Sequence, residues 1–260
     1  GKASGAAVEV SSLPAIGASN SVGFIVTADQ PSNNPALTTM ASGDVNGDGY
    51  SDLVLGAWFQ GSTGVGPGGA YVVYGNSTNT SLDISTLTVG SNTRGFQIIG
   101  EGNAGIDIAG VGDVNGDGLA DVLLQGNQGL VGAGNTTLKG AAWVAFGKTD
   151  NNPIHVSSIE AGVGGFAIGL GLDTTNYGAY AVSSAGDFNG DGLTDVIVTH
   201  ANAPYVNNGV TNASAGAAYI VFGKTGTGTV QVTSLDGSEG FRIVNPYVNE
   251  RMGVSVSGGG

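Results

Sequence analysis

Gly43-Asp44-Val45-Asn46-Gly47-Asp48-Gly49-Tyr50-Ser51-Asp52 returns as Gly112 to Asp121 and again as Gly186 to Asp195. Each copy reads Gly-Asp-(Val/Phe)-Asn-Gly-Asp-Gly-x-x-Asp. Counted from the first aspartate, oxygen-bearing side chains fall at positions 1, 3, 5 and 9, and a glycine stands at position 6. That glycine permits the positive φ with which a short loop wraps around an ion. The pattern is that of a calcium-binding loop.

Calcium takes roughly six to eight hard oxygen ligands at about 2.3–2.6 Å. The first loop offers the side chains of Asp44, Asn46, Asp48 and Asp52 and the backbone carbonyl of Tyr50. The second offers Asp113, Asn115, Asp117 and Asp121 with Leu119, and the third Asp187, Asn189, Asp191 and Asp195 with Leu193. Three Ca²⁺ sites are therefore expected. Asparagine at position 3 keeps an oxygen donor while lowering like-charge repulsion in the loop. Mg²⁺ suits the pattern less, because it retains its waters and demands tighter octahedral geometry. An EF-hand is excluded, since position 12 requires a bidentate glutamate and holds Leu55, Leu124 and Val198 instead. The competing reading is a tight Asn-Gly-Asp-Gly hairpin turn. A turn alone has no need of Asp52, Asp121 and Asp195.

The loops sit in a longer cassette, with 69 residues between the first two leading aspartates and 74 between the next two. Such a period decides the architecture before local propensity does. A Gly-Phe-x-(Ile/Val) run precedes each loop, and recurs at Gly23–Val26, Gly95–Ile98, Gly165–Ile168 and Gly240–Ile243. A small-residue strand such as Ile106–Gly110 leads into the loop, and an apolar strand (Asp52–Leu55, Asp121–Leu124, Asp195–Val198) leaves it. Next come Gly69–Gly75, Gly140–Gly147 and Gly216–Gly223, rich in aromatic and branched residues. An alternating segment with a Ser/Thr corner closes the repeat at Leu82–Leu87, Ile154–Ile159 and Val230–Leu235, and is expected to be a strand. Four to five short strands per repeat of about 70 residues describe one radial sheet per repeat. The fold class is all-β, a β-propeller with about three and a half repeats visible as an incomplete ring. The repeats run approximately over 1–74, 75–146, 147–222 and 223–260 of one propeller or part of one, 1–260.

Gly1-Lys2 aligns with Gly147-Lys148 and Gly223-Lys224, and Ala7–Leu13 with the alternating segment. Met252–Gly260 aligns with Ala104–Gly112. Both ends fall inside a repeat, so a longer chain or neighbouring subunits are expected to complete the broken blade.

Composition agrees. The net charge of −13 leaves no patch for nucleic acid or an anionic membrane surface, so neither is an expected partner, and with no uninterrupted apolar stretch near the roughly 20 residues of a membrane-spanning helix, direct membrane insertion is not expected. Nine of the 20 acids lie in the three loops, so much of the acidity is accounted for as ligands. With no cysteine, disulfides and thiolate zinc sites are excluded, and calcium at extracellular concentrations is the expected cross-link.

The cassette resembles the FG-GAP repeat of integrin α subunits and of many bacterial secreted proteins. The loop and the Gly-Phe-x-Ile and Gly-Ala-x-x-Val-x-Phe-Gly runs carry the resemblance. Ala104-Gly105, Tyr177-Gly178 and Met252-Gly253 stand where the family has Phe-Gly. The resemblance implies a blade whose first hairpin is the calcium loop, a structural ion, and partners docking on other loops.

Catalytic residues are not expected. His155 and His200 lie in strand-like runs, and neither a nucleophile elbow nor a recurring Ser/His/Asp signature is present. Trp58, Trp143, Tyr71 and Tyr219 are read as inter-blade core rather than a sugar-stacking surface. The reading is a calcium-binding propeller of a secreted or cell-surface protein, working in adhesion, ligand binding or extracellular assembly. Its partners would be a protein or carbohydrate ligand or copies of itself. The alternatives are a non-catalytic propeller segment of a secreted hydrolase or lyase, and an extracellular filament subunit completed by its neighbours.

Overall fold

A computed structural model describes residues 15, 23–27, 37–57, 68–78, 80–87, 93–100, 104–126, 141–171, 181–207, 210–212, 214–247 and 250–258. Three antiparallel blades follow one another along the chain. The first runs Leu37–Gly43, Asp52–Ala57, Gly69–Val73 and Gly95–Ile99, each strand pairing with the next. The second repeats it with Ala104–Gly112, Asp121–Gly126, Ala141–Ala145 and Gly165–Gly169. The third uses Val182–Gly186, Asp195–His200, Ala217–Val221 and Gly240–Val244. Register is preserved: Leu55 faces Tyr71, Leu124 faces Trp143 and Val198 faces Tyr219. This is the β-propeller architecture, as an incomplete ring.

The middle strands of the first two blades are apolar on both faces because each of these blades is covered on both sides. Val54, Val72, Phe96 and Ile98 of the first blade pack with Val122, Leu124 and Trp143 of the second. The opposite face of the second blade, with Leu123, Val144, Phe166 and Ile168, packs with Val196, Val198 and Tyr219 of the third. Trp143, Tyr71 and Tyr219 are buried as core. Trp58 lies outside the described residues, as do Ala7–Leu13.

The outer strands of the first two blades each receive one further partner, from the repeat that follows. Ile98 and Ile99 pair in parallel with Ile154 and His155, and Ile168 and Gly169 with Val230 and Gln231. Val26 and Thr27 pair in the same way with Leu82 and Asp83. Here the structure departs from the expected strand over the alternating segments. Only two residues of each are strand, and a helical turn follows at Ile84–Thr86, Val156–Glu160 and Val232–Ser234. Burial explains the switch. Ile154, Val156 and Ile159 are the buried positions, so the apolar spacing passes from two to three within one segment. In the first copy Asp83 accepts the Ser85 amide at 2.9 Å and starts the turn as an N-cap.

Inner strands of successive blades lie against one another. Asp107 in the second blade accepts the amide of Val182 in the third at 3.0 Å, and its own neighbour's amide, Ile108, at 3.1 Å. Ser184 donates its hydroxyl to the Val111 carbonyl at 3.2 Å. The chain then returns to the third blade: Met252 makes an isolated parallel bridge with Gly216, Thr199 donates its hydroxyl to the Gly253 carbonyl at 2.6 Å, and the Gly258 amide donates to the Ser183 hydroxyl at 3.0 Å.

Burial pushes the Asp107 carboxyl above its ordinary range, against the two amides that favour the charged form. A carboxyl whose folded pKa is raised contributes stability that is full below the unfolded value, about 4, and is lost as pH rises through the folded value. Asp107→Asn retains an acceptor for Val182 without the charge. Denaturant titrations of both proteins should show the variant gaining on the parent as pH rises from about 4 to 8; a constant difference would contradict the assignment.

Candidate metal loops

Each loop joins the first two strands of its blade, and the residue pattern builds the same shape in all three. Gly47 and Gly49 hold φ of +76° and +84°, Gly116 and Gly118 +82° and +86°, and Gly190 and Gly192 +79° and +90°. These values belong to the left-handed region that favours glycine. The leading aspartate fills the ring so made. Asp44 Oδ1 accepts the amides of Gly47 at 2.8 Å and Asp48 at 3.1 Å, and its Oδ2 accepts Gly49 at 2.9 Å. Asp113 takes Gly116, Asp117 and Gly118, and Asp187 takes Gly190, Asp191 and Gly192. Asn46, Asn115 and Asn189 each bond the aspartate two residues on through both amide and side chain. Those aspartates, Asp48, Asp117 and Asp191, accept the amides of Tyr50, Leu119 and Leu193.

The position-9 aspartates behave differently. Asp52, Asp121 and Asp195 are buried, at 1%, 0% and 0% exposure. Asp52 accepts the amide of Val45 at 2.8 Å through one oxygen and that of Gly75 at 2.9 Å through the other. Asp121 holds Val114 and Gly147, both at 2.8 Å, and Asp195 holds Phe188 and Gly223, both at 2.8 Å, with Asn189 at 3.2 Å. Each therefore staples the start of its loop to the end of the blade's third strand. Burial raises their pKa values against these amide bonds, to about 6 for Asp52 and about 7 for Asp121, with Asp195 raised too. The neighbouring Asp117 and Asp113 charges push Asp121 further upward.

The structure thus gathers the side chains at positions 1, 3 and 5 within each loop and sets the position-9 carboxylate behind them, bonded to backbone. Among the described residues no three His, Cys, Asp or Glu side chains form a ready-made metal cage. The donor chemistry nevertheless fits a hard divalent cation. Every donor is oxygen, three carboxylates crowd each loop, and an oxygen accepting one N–H retains a second lone pair.

Sequence reasoning missed the bonds between loops. Ala120 of the second loop donates its amide to the Asp44 carbonyl at 2.9 Å, and Thr194 of the third donates to Asp113 at 2.8 Å. Lys148 donates to the Val45 carbonyl at 2.9 Å and Lys224 to Val114 at 2.8 Å. The loops therefore form a continuous ribbon from blade to blade. The signal lay in the Gly-Lys pair that ends two copies of the third-strand run, whose glycine is wedged in this ribbon.

Residues 36–74 match the FG-GAP repeat. A stretch of 169 residues, 64% of the chain, is 30% identical to the phosphatidylinositol-glycan-specific phospholipase D of Rattus norvegicus. The enzymes of that name from Bos taurus and Mus musculus are 28% identical over 169 residues and 27% over 166, again 64% of the chain. The match covers only 18% of each of these curated relatives. Of the two histidines, His155 is exposed and His200 is buried at the end of its strand. Among the described residues no helix is long and apolar enough to cross a membrane.

The glycine after the third strand of the second blade can be tested directly. A Cβ on Gly147 would lie 2.6 Å from the Leu119 Cβ, 2.7 Å from the Ala120 carbonyl oxygen and 2.8 Å from that of Val45. Urea unfolding of Gly147→Ala should show a loss of about 2 kcal/mol from overpacking. Gly228→Ala, where nothing lies within 4 Å, should stay within about 0.5 kcal/mol.

Proposed function

We propose that this chain is a calcium-braced FG-GAP propeller of a secreted or cell-surface protein, and that it works by binding or adhesion rather than by catalysis. The observation that carries the reading is the loop built three times over, with oxygen side chains at positions 1, 3, 5 and 9 on one glycine-shaped turn. Asp44, Asn46, Asp48, Asp52 and the Tyr50 carbonyl would hold the first ion, with Asp113, Asn115, Asp117, Asp121 and Leu119 holding the second. Asp187, Asn189, Asp191, Asp195 and Leu193 would hold the third. A bound ion supplies positive charge where three carboxylates crowd together and cross-links the loop. The chain's own residues do the rest: the glycines set the turn, and the buried aspartate ties it to the third strand.

The extracellular setting is supported by the FG-GAP repeats, which are typical of secreted and cell-surface proteins, and by the calcium concentration such loops are tuned to. Similarity to phosphatidylinositol-glycan-specific phospholipase D supports a second reading, in which the propeller is the non-catalytic part of a secreted hydrolase. Both readings give the loops the same work.

Thermal unfolding of the calcium-free protein should move to higher temperature on adding Ca²⁺, by linkage worth about 2.7 kcal/mol for each site at a hundredfold excess over Kd. Calorimetry should count three ions, and Asp117→Ala should reduce the count to two. An unchanged midpoint with no bound metal would overturn the sites.

A further inference from the structure

One unbroken chain of hydrogen bonds joins the three loops. It starts at Asp52, whose Oδ2 accepts the Val45 amide at 2.8 Å. The Val45 carbonyl accepts the Lys148 amide at 2.9 Å, and the amide just before it, that of Gly147, donates to Oδ1 of Asp121 at 2.8 Å. From there the pattern repeats: Asp121 Oδ2 accepts Val114, the Val114 carbonyl accepts Lys224, and Gly223 donates to Asp195, all at 2.8 Å. Each step runs from the position-9 carboxylate of one loop to that of the next.

A second link runs beside the first. The Ala120 amide donates to the Asp44 carbonyl at 2.9 Å, and the oxygen of that same peptide unit is the carbonyl of Leu119, the backbone donor of the second loop. Thr194 and Leu193 repeat the arrangement on Asp113 at 2.8 Å. The position-7 side chains follow the same route, since a Cβ on Gly47 would lie 2.6 Å from Cδ2 of Leu119 and one on Gly116 3.1 Å from Cδ2 of Leu193. One peptide unit therefore serves two loops, with its oxygen in its own and its N–H on the leading aspartate of the loop before. Among the described residues no hydrogen bond joins the first loop directly to the third.

We propose, resting on the reading of these loops as calcium sites, that the three loops take up Ca²⁺ cooperatively, each filled loop raising the affinity of its neighbour through these links. A Leu119 carbonyl drawn to an ion polarises its peptide unit and strengthens the Ala120 N–H bond to Asp44, which fixes the leading ligand of the first loop. In the other direction, an Asp44 ordered in a filled first loop holds the Leu119 carbonyl in place for the second. By linkage the gain is equal both ways. The sign separates this from plain electrostatics, because two bound dications repel and would make each ion weaken the next. The path also sets which loops couple: the first and third meet only through the second.

The test is calorimetric titration of the 260-residue chain with Ca²⁺, in the parent and in Asp48→Ala, Asp117→Ala and Asp191→Ala, each of which removes one exposed ligand from one loop. The parent should bind three ions with positive cooperativity. Asp48→Ala and Asp191→Ala each keep two linked loops, so the second ion should bind at least about fivefold more tightly than the first after statistical correction. Asp117→Ala keeps two loops with no direct link, so its two ions should bind independently. Three independent or mutually weakening ions in the parent would overturn the coupling and leave the calcium sites standing, as would equal coupling in all three variants. No bound ion in the parent would overturn the sites and the coupling together.

Discussion

A buried carboxylate with both oxygens spent on backbone amides holds each blade in shape. Asp52, Asp121 and Asp195 stand at the start of the second strand, and each reaches the second residue of its loop and the glycine that ends the third strand. The loop's leading residues, the hairpin and the third strand are fixed by one side chain. Charge-assisted bonds of this kind are stronger than neutral ones, and burial makes their loss expensive. Because Gly75, Gly147 and Gly223 must come within bonding distance of the carboxylate, they also come within reach of the loop backbone. At Gly147 and Gly223 the carbonyl of the preceding blade's loop enters as well.

From that staple the arrangement propagates. A loop fixed by its own blade offers the carbonyls of its first two residues to the next, so that Asp44 and Val45 receive Ala120 and Lys148, and Asp113 and Val114 receive Thr194 and Lys224. At the rim, the two-residue strand of each repeat closes the outer edge of the one before it. No blade is complete by itself. Stability is shared at interfaces between neighbours, as in other repeat architectures, and a terminal face carries exposed apolar surface unless something caps it. An ion in each loop would act at the same point as the staple, joining carboxylates that otherwise repel.

Much of this was legible in the sequence, because repetition separates signal from coincidence. The loop, the strands on either side and the core role of Trp143, Tyr71 and Tyr219 follow from patterns seen three times. The segments at Leu82, Ile154 and Val230 were misread as continuous strands. Their first apolar pair is spaced by two, and the third residue, Leu87 or Ile159, falls three on, which is the spacing of a helical turn. The links between loops were invisible for another reason. They are backbone to backbone between residues 76 to 110 apart in the chain, and the trace that they leave is a glycine whose crowding appears once the neighbouring blade is in place. Oxygen positions at 1, 3, 5 and 9 were likewise readable, but not that the last of them turns its oxygens to amides.

Hydrogen exchange at the amides of Gly75, Gly147 and Gly223 tests the staple most directly. If the buried carboxylates hold the blades as described, these amides exchange only through global unfolding, at the rate of the slowest core amides such as those of Val72 and Val144. Exchange at these glycines through local opening, while the core amides stay protected, would contradict it.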